Sequence, residues 1–235
     1  MSIIHRLVEK LRNAYAWSLD YTYVFYWQMR SLLSRAPSRT LPDHSSLRID
    51  KMPIILIPGI YESWFFMQPL MKALASEGHP IHVVEKLGHN IGDVDKMAEL
   101  VRLYIKKNKL RQCVIVAHSK GGLIGKYLMI HLNDAHPVRG MIALNTPFAG
   151  SLYAYFFPLR AIRNFASNSS MIISLDADNK VNNAIVSIYG LFDPHIPGGS
   201  YLKGAHNIQL PTRGHFRILR DKRVQQAVLD AIKQF

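Results

Sequence analysis

The chain has 235 residues, and its 29 Lys and Arg against 16 Asp and Glu leave a formal net charge of +13 at pH 7. That length suits one α/β domain able to bury about three quarters of its unfolded surface, with no room for a second catalytic domain. The single cysteine, Cys113, excludes an intramolecular disulfide; it reads as a small buried hydrophobe and suits a reducing compartment, so a cytoplasmic location is expected.

The chain opens on a segment that reads as a helix over residues 1–33. His5, Arg6, Lys10 and Arg12 precede a run rich in Tyr and Trp that includes Tyr15, Trp17, Tyr21, Tyr23, Phe25, Tyr26 and Trp27. Such rings suit the headgroup boundary of a bilayer. Asp20 interrupts the run and Arg30 closes it, so the segment is too short an apolar stretch to span. It is expected to lie on an anionic membrane surface, in which case residues 1–40 are dispensable for hydrolysis of a soluble ester; the alternative is a helix packed on the body or covering an oligomer interface. Residues 34–46, rich in Ser, Pro and Arg, read as a linker. They divide a segment at 1–46 from a catalytic domain at 47–235, and the sequence leaves the oligomeric state open.

The first strand, 53–57, ends in Pro58-Gly59-Ile60-Tyr61. A helix near 64–76, a strand at 81–84 and a helix near 93–107 follow. The buried strand at 113–117 then runs into Ala117-His118-Ser119-Lys120-Gly121 and a helix near 122–133. A serine on so sharp a strand-to-helix turn needs small residues two positions before and after it, and Ala117 and Gly121 supply them. The turn reads as a nucleophile elbow. An oxyanion in such a site needs two preorganised N–H donors, one after the nucleophile and one after an early strand; Lys120 and Ile60 hold those places, each through its backbone. His118, next to the nucleophile, is read as packing the elbow and not as part of a triad.

A strand at 140–144 leads to Thr146-Pro147-Phe148 and an aromatic segment at 148–165, in which Tyr153 and Phe156, with Phe148 and Tyr61, are read as pocket wall. An amphipathic helix packed on the sheet is the equal alternative for that segment. The strand at 184–189 is expected to break at Gly190, placing Asp193 in the following loop; a last strand at 207–210 leads to Gly214-His215, and a helix covers 222–233. In chain order Ser119, Asp193 and His215 give nucleophile, acid and base, with the imidazole between hydroxyl and carboxylate. Asp176 and Asp178 also precede His215, but only Asp193 follows a clear strand.

These pieces together resemble the α/β-hydrolases of the lipase and esterase type, in particular small bacterial lipases without a large lid. Pro58-Gly59 stands where such lipases commonly show His-Gly, and Thr146-Pro147-Phe148 where they show Thr-Pro-His; the second change alters the pocket wall. The stretch from Pro58 through Asn90 is also similar to a group of bacterial hydrolases. The expected fold is a mostly parallel sheet of about six strands covered by helices on both faces. The implied activity is cleavage of a small-molecule or lipid ester through an acyl-enzyme; acyl transfer or thioester hydrolysis on the same scaffold, or a non-catalytic binding module, are the alternatives.

The eleven histidines show no metal-ligand spacing, so neither a metal nor a cofactor is expected. The basic clusters Lys106, Lys107, Lys109 with Arg111, and Arg217, Arg220, Lys222 with Arg223, suit anionic lipid headgroups. No nucleic-acid module accompanies them, and no nucleic-acid partner is expected.

Overall fold

A computed structural model describes residues 3–33 and 51–235 apart from 152, 153, 155–159 and 164, with the backbone alone at 3, 160 and 161. The linker and the proposed boundary at 46 fall outside the described residues. The strands β1 (Ile54–Ile57), β2 (Ile81–Val83), β3 (Cys113–His118), β4 (Val138–Leu144), β5 (Ile185–Phe192) and β6 (His206–Arg213) form one sheet in the order β2-β1-β3-β4-β5-β6. Every neighbouring pair is parallel. Parallel strands need crossovers, and both faces of the sheet are then covered, which is why β1 and β3 read as unbroken apolar runs.

Side chains alternate across the pleat. Ile55, Ile57, Ile115, Ala117, Met141 and Ala143 point to one core, under α3 (Val94–Lys107) and α4 (Lys120–His131). Ile54, Leu56, Val114, Val116, Ile142 and Leu144 point to the other, which also holds residues of α2 (Gln68–Ser76) and α7 (Lys222–Ile232). Two short helices, α5 (Arg160–Arg163) and α6 (Ser170–Ala177), lie between β4 and β5.

Two strands depart from the sequence reading. β5 does not break at Gly190 but runs on to Phe192. The glycine is there for close approach: a Cβ on it would stand 2.8 Å from Thr212 Oγ1 and 2.9 Å from the Thr212 carbonyl oxygen of β6. β6 in turn continues through Pro211, which an edge strand tolerates because among the described residues it has a strand partner on one side only.

The amino-terminal helix α1 (Ile3–Leu33) packs on the body by one face, with Ala16, Asp20, Tyr23 and Trp27 buried and Tyr23 joining the second core. The Tyr23 hydroxyl donates to the Phe66 carbonyl at 2.6 Å, and Gln28 Nε2 donates to the Tyr61 carbonyl at 2.8 Å. Near its start, Glu9 and Asn13 meet Arg213 at the end of β6. No helix among the described residues is long and apolar enough to cross a membrane.

Candidate active site

Ser119 stands between the end of β3 and the start of α4 with φ 51° and ψ −123°. A non-glycine residue pays about 1–3 kcal/mol to be held there. The surrounding small residues explain how it is held. A Cβ on Gly121 would run into the carbonyls of Ile57, the last residue of β1, and of Pro58 after it, and one on Gly122 into the Thr146 side chain. The turn can therefore sit against β1 and the β4 loop only with glycine at both places.

His215 Nε2 lies 3.0 Å from Ser119 Oγ, and His215 Nδ1 lies 2.6 Å from Asp193 Oδ2. All three residues are buried, and the other Asp193 oxygen accepts from the backbone N–H of His195 at 2.8 Å and of Ile196 at 3.1 Å. Asp176 and Asp178, the competing carboxylates, are instead at the carboxyl end of α6, where Asp178 pairs with Lys180. Burial by itself would raise the Asp193 carboxyl, but the charge and hydrogen bond of the imidazole beside it, with the backbone N–H of His195, hold it below the usual carboxylate range. Burial by itself would lower His215, and Asp193 reverses the direction, raising the imidazole above its ordinary value. Such a group is basic enough to take a proton from a hydroxyl 3.0 Å away.

Lys120 follows Ser119 directly at the start of α4, and Ile60 lines the cavity that contains Ser119. The Lys120 side chain has a separate place. It is buried, and its Nζ donates to the Asn90 carbonyl at 2.7 Å and to the Gly92 carbonyl, fastening the loop after β2 against the elbow. Burial lowers its ammonium to about 8. The same loop reaches β1 through Asn90 Nδ2, which donates to the Pro58 carbonyl at 2.6 Å.

Five further residues surround the site, and of these sequence reasoning assigned a role only to His118, as packing for the elbow. Asp20 of α1, buried completely, accepts from the backbone N–H of His215 at 2.7 Å, Phe216 at 2.9 Å and Arg217 at 2.8 Å. Asn145, after β4, donates to the Gly214 and His215 carbonyls at 3.1 Å each and accepts from the Gly190 N–H at 3.2 Å. Glu62 accepts from the Gly59 N–H at 2.9 Å and meets His118 Nδ1 at 2.9 Å, while His118 Nε2 donates to the His215 carbonyl at 2.9 Å. His118 thus does more than pack the elbow: it links the Ile60 loop to the His215 loop. His195, whose ring lies 5.0 Å from that of His215, is lowered to about 4 by burial and by His215, so it is neutral at ordinary pH. Its Nε2 is buried with no hydrogen-bond partner among the described residues.

A cavity of about 280 Å³ opens on Ser119 and His215. Tyr61 lines it, with Ile60, Pro147, Ala154, Ile162 and Phe165. Phe148 does not; it is turned into the core on the α4 side of the sheet, and the neighbouring Pro147 takes its place in the wall. Tyr153 and Phe156 lie outside the described residues. The opposite wall comes from α1, through Tyr21, Val24 and Gln28. Since α1 both walls the cavity and holds the His215 loop, the expectation that residues 1–40 are dispensable for soluble-ester hydrolysis does not follow from this arrangement. No group of three His, Cys, Asp or Glu able to hold a metal ion occurs among the described residues.

No family model matches the chain, and no curated protein matches its sequence. Solved structures do resemble it. The mature form of the Bacillus licheniformis lipase BlEst2 superposes with a TM-score of 0.65 at 17% identity, over 79% of this chain and 94% of that one. An α/β hydrolase fold protein from Burkholderia ambifaria gives 0.59 at 17% identity, over 77% and 91%. The enol-lactonase of Burkholderia xenovorans gives 0.52 at 14% identity, over 78% and 92%.

Proposed function

Because the chain has the α/β-hydrolase fold, we propose that it is a serine hydrolase that cleaves carboxylic esters, with Ser119 as nucleophile, His215 as base and Asp193 as the acid that orients it. The observation that carries the reading is the continuous hydrogen-bonded line from Ser119 Oγ through His215 to Asp193, at 3.0 and 2.6 Å. Names of lipase and enol-lactonase among the structural neighbours belong to the same reaction class.

In the proposed reaction Oγ bonds to the ester carbonyl carbon as its proton passes to His215 Nε2. The carbonyl oxygen takes the negative charge and is met by the N–H groups of Ile60 and Lys120. Asp193, kept ionised, stabilises the imidazolium. The ester C–O bond then breaks, the alcohol leaves with the proton from Nε2, and an acyl-Ser119 remains. Water, deprotonated by the same nitrogen, adds to the acyl carbon and releases the acid and the free serine. His195 also lines the cavity.

The exposed apolar residues of α1 support a further element of the reading, that the enzyme works as a peripheral membrane protein. A fluorophosphonate probe and a panel of esters from acetyl to palmitoyl test the central claim. The wild type should label on Ser119 and turn over at least part of the panel, and Ser119→Ala should lose label and about a million-fold in kcat. Wild-type protein that resists the probe, or an active Ser119→Ala, refutes it.

A further inference from the structure

Helix α1 meets the body along one side only. On the opposite side Leu7, Leu11, Tyr15, Phe25, Leu32 and Leu33 recur at helical spacing and stand between 58% and 74% exposed. At 3.6 residues per turn no charged residue falls within that stripe; Lys10 stands nearest to it, and Arg6, Arg12 and Arg30 emerge further round, toward the side that meets the body. The helix is 31 residues long, about 46 Å at 1.5 Å per residue. Ser18 and Thr22, both exposed, fall within the stripe between Tyr15 and Phe25, so its large apolar side chains gather toward the two ends of the helix.

The charge beside it indicates what covers it. Along one flank runs a groove with Tyr26 and Trp27 on the α1 side and Lys72, Arg217, Arg220 and Lys222 on the other. The second basic cluster of the sequence, around Lys106, Lys109 and Arg111, gathers instead with Arg139 at the amino ends of β3 and β4, away from the cavity. The basic flank and the apolar stripe therefore share one surface, the combination that an anionic bilayer binds through headgroup charge and acyl boundary together. A second copy of this chain fits poorly, since it would bring two like basic flanks together between chains of net charge +13. Tyr21 joins this surface to the site: it is 49% exposed at the edge of the stripe and it lines the cavity over Ser119.

We propose that the outer face of α1 docks on anionic bilayers, with Lys72, Arg217, Arg220 and Lys222 against the phosphates, and that the ester reaching Ser119 is taken from that bilayer. The substrate half rests on the hydrolase reading above; the docking half does not. The test pairs the wild type with a Leu11→Glu/Phe25→Glu variant, neither position lining the cavity, using vesicles of phosphatidylcholine with and without phosphatidylglycerol. Pelleting is read at low and high salt, and turnover is read on a soluble butyrate ester and on a long-chain ester carried in the vesicles. The wild type should pellet with the anionic vesicles and be released by salt. The variant should bind at least about tenfold more weakly, keep its soluble-ester rate and lose the vesicle-borne one. Wild-type protein that stays in the supernatant at low salt, or a variant that pellets equally well, overturns the docking. A wild-type dimer in ultracentrifugation that the substitutions dissociate overturns it in favour of a second copy. Equal vesicle-borne rates for the two proteins overturn the delivery of substrate, whereas a wild type inactive on every ester but pelleting normally refutes the hydrolase reading and leaves the docking standing.

Discussion

Asp20 offers the sharpest perturbation, because a residue at the far end of the chain holds the loop that carries the proposed base. Its two oxygens take three backbone N–H groups, from His215, Phe216 and Arg217, within 2.7–2.9 Å. Replacing it with alanine leaves three donors without their acceptor, that of His215 buried and those of Phe216 and Arg217 partly buried, at up to about 1–3 kcal/mol each. Removing a carboxylate whose pKa burial has pushed up returns part of that cost. The net loss is about 3 kcal/mol, which lowers Tm by about 6–12 °C in a domain of this size and leaves a protein of ordinary stability folded. The kinetic effect should exceed what loss of folded protein explains. A shift of about 1 Å in His215 relative to Ser119 costs roughly a hundredfold in kcat. Asp20→Asn separates position from charge: it keeps one acceptor oxygen but removes the negative charge that helps raise His215, so the ascending limb of its pH–rate profile should move to lower pH. Differential scanning calorimetry and a pH–rate series on a soluble ester read both. A wild-type Tm and kcat in Asp20→Ala, or an unmoved limb in Asp20→Asn, would refute the reasoning.

Asp193→Asn should lower kcat by about ten-thousandfold, while Asp176→Asn and Asp178→Asn, at the end of α6, leave it near wild type; the reverse ranking reassigns the acid. In the wild type kcat/KM should rise with pH through a midpoint above the ordinary histidine value of 6.5, because catalysis needs the neutral imidazole and Asp193 raises its pKa. The stability contributions of the same pair run in opposite directions. That of His215 is present below its unfolded value and is lost as pH rises through the raised folded value; that of Asp193 is present above its unfolded value and is lost as pH falls through the lowered one. Lys120→Met keeps the backbone N–H proposed for the oxyanion but strands the Asn90 and Gly92 carbonyls. It should therefore destabilise by about 2–4 kcal/mol in thermal melts and keep measurable kcat; a folded but dead variant would give the ammonium a direct role. Deleting 1–33 should abolish soluble-ester hydrolysis as well as vesicle binding, since α1 supplies Asp20 and one cavity wall.

The amino-acid sequence alone determines the succession of strands and helices in this fold to a large degree. Buried parallel strands announce themselves as apolar runs such as Cys113 to Val116, and the elbow is legible because its small residues are neighbours in the chain. Strand ends were less legible: Gly190 and Pro211 read locally as breaks, and only the pairing of β5 with β6 makes them a close contact and an edge position. The pocket wall was read one residue out, Phe148 turning into the core and Pro147 facing the cavity, because the rotation of a turn depends on what packs beneath it. The long-range contacts of the supporting residues were not legible. Asp20 and His215 are 195 positions apart, and Glu62 and His118 are 56 apart; Asp20 in particular reads locally as a flaw in an aromatic helix. Helical periodicity shows that α1 is apolar on nearly every side, but which side the body takes is a tertiary outcome. Burial of Asp20 against three N–H groups sets that rotation, and it leaves the uncharged stripe from Leu7 to Leu33 facing outward, since a carboxylate can enter the interior only where donors are waiting for it.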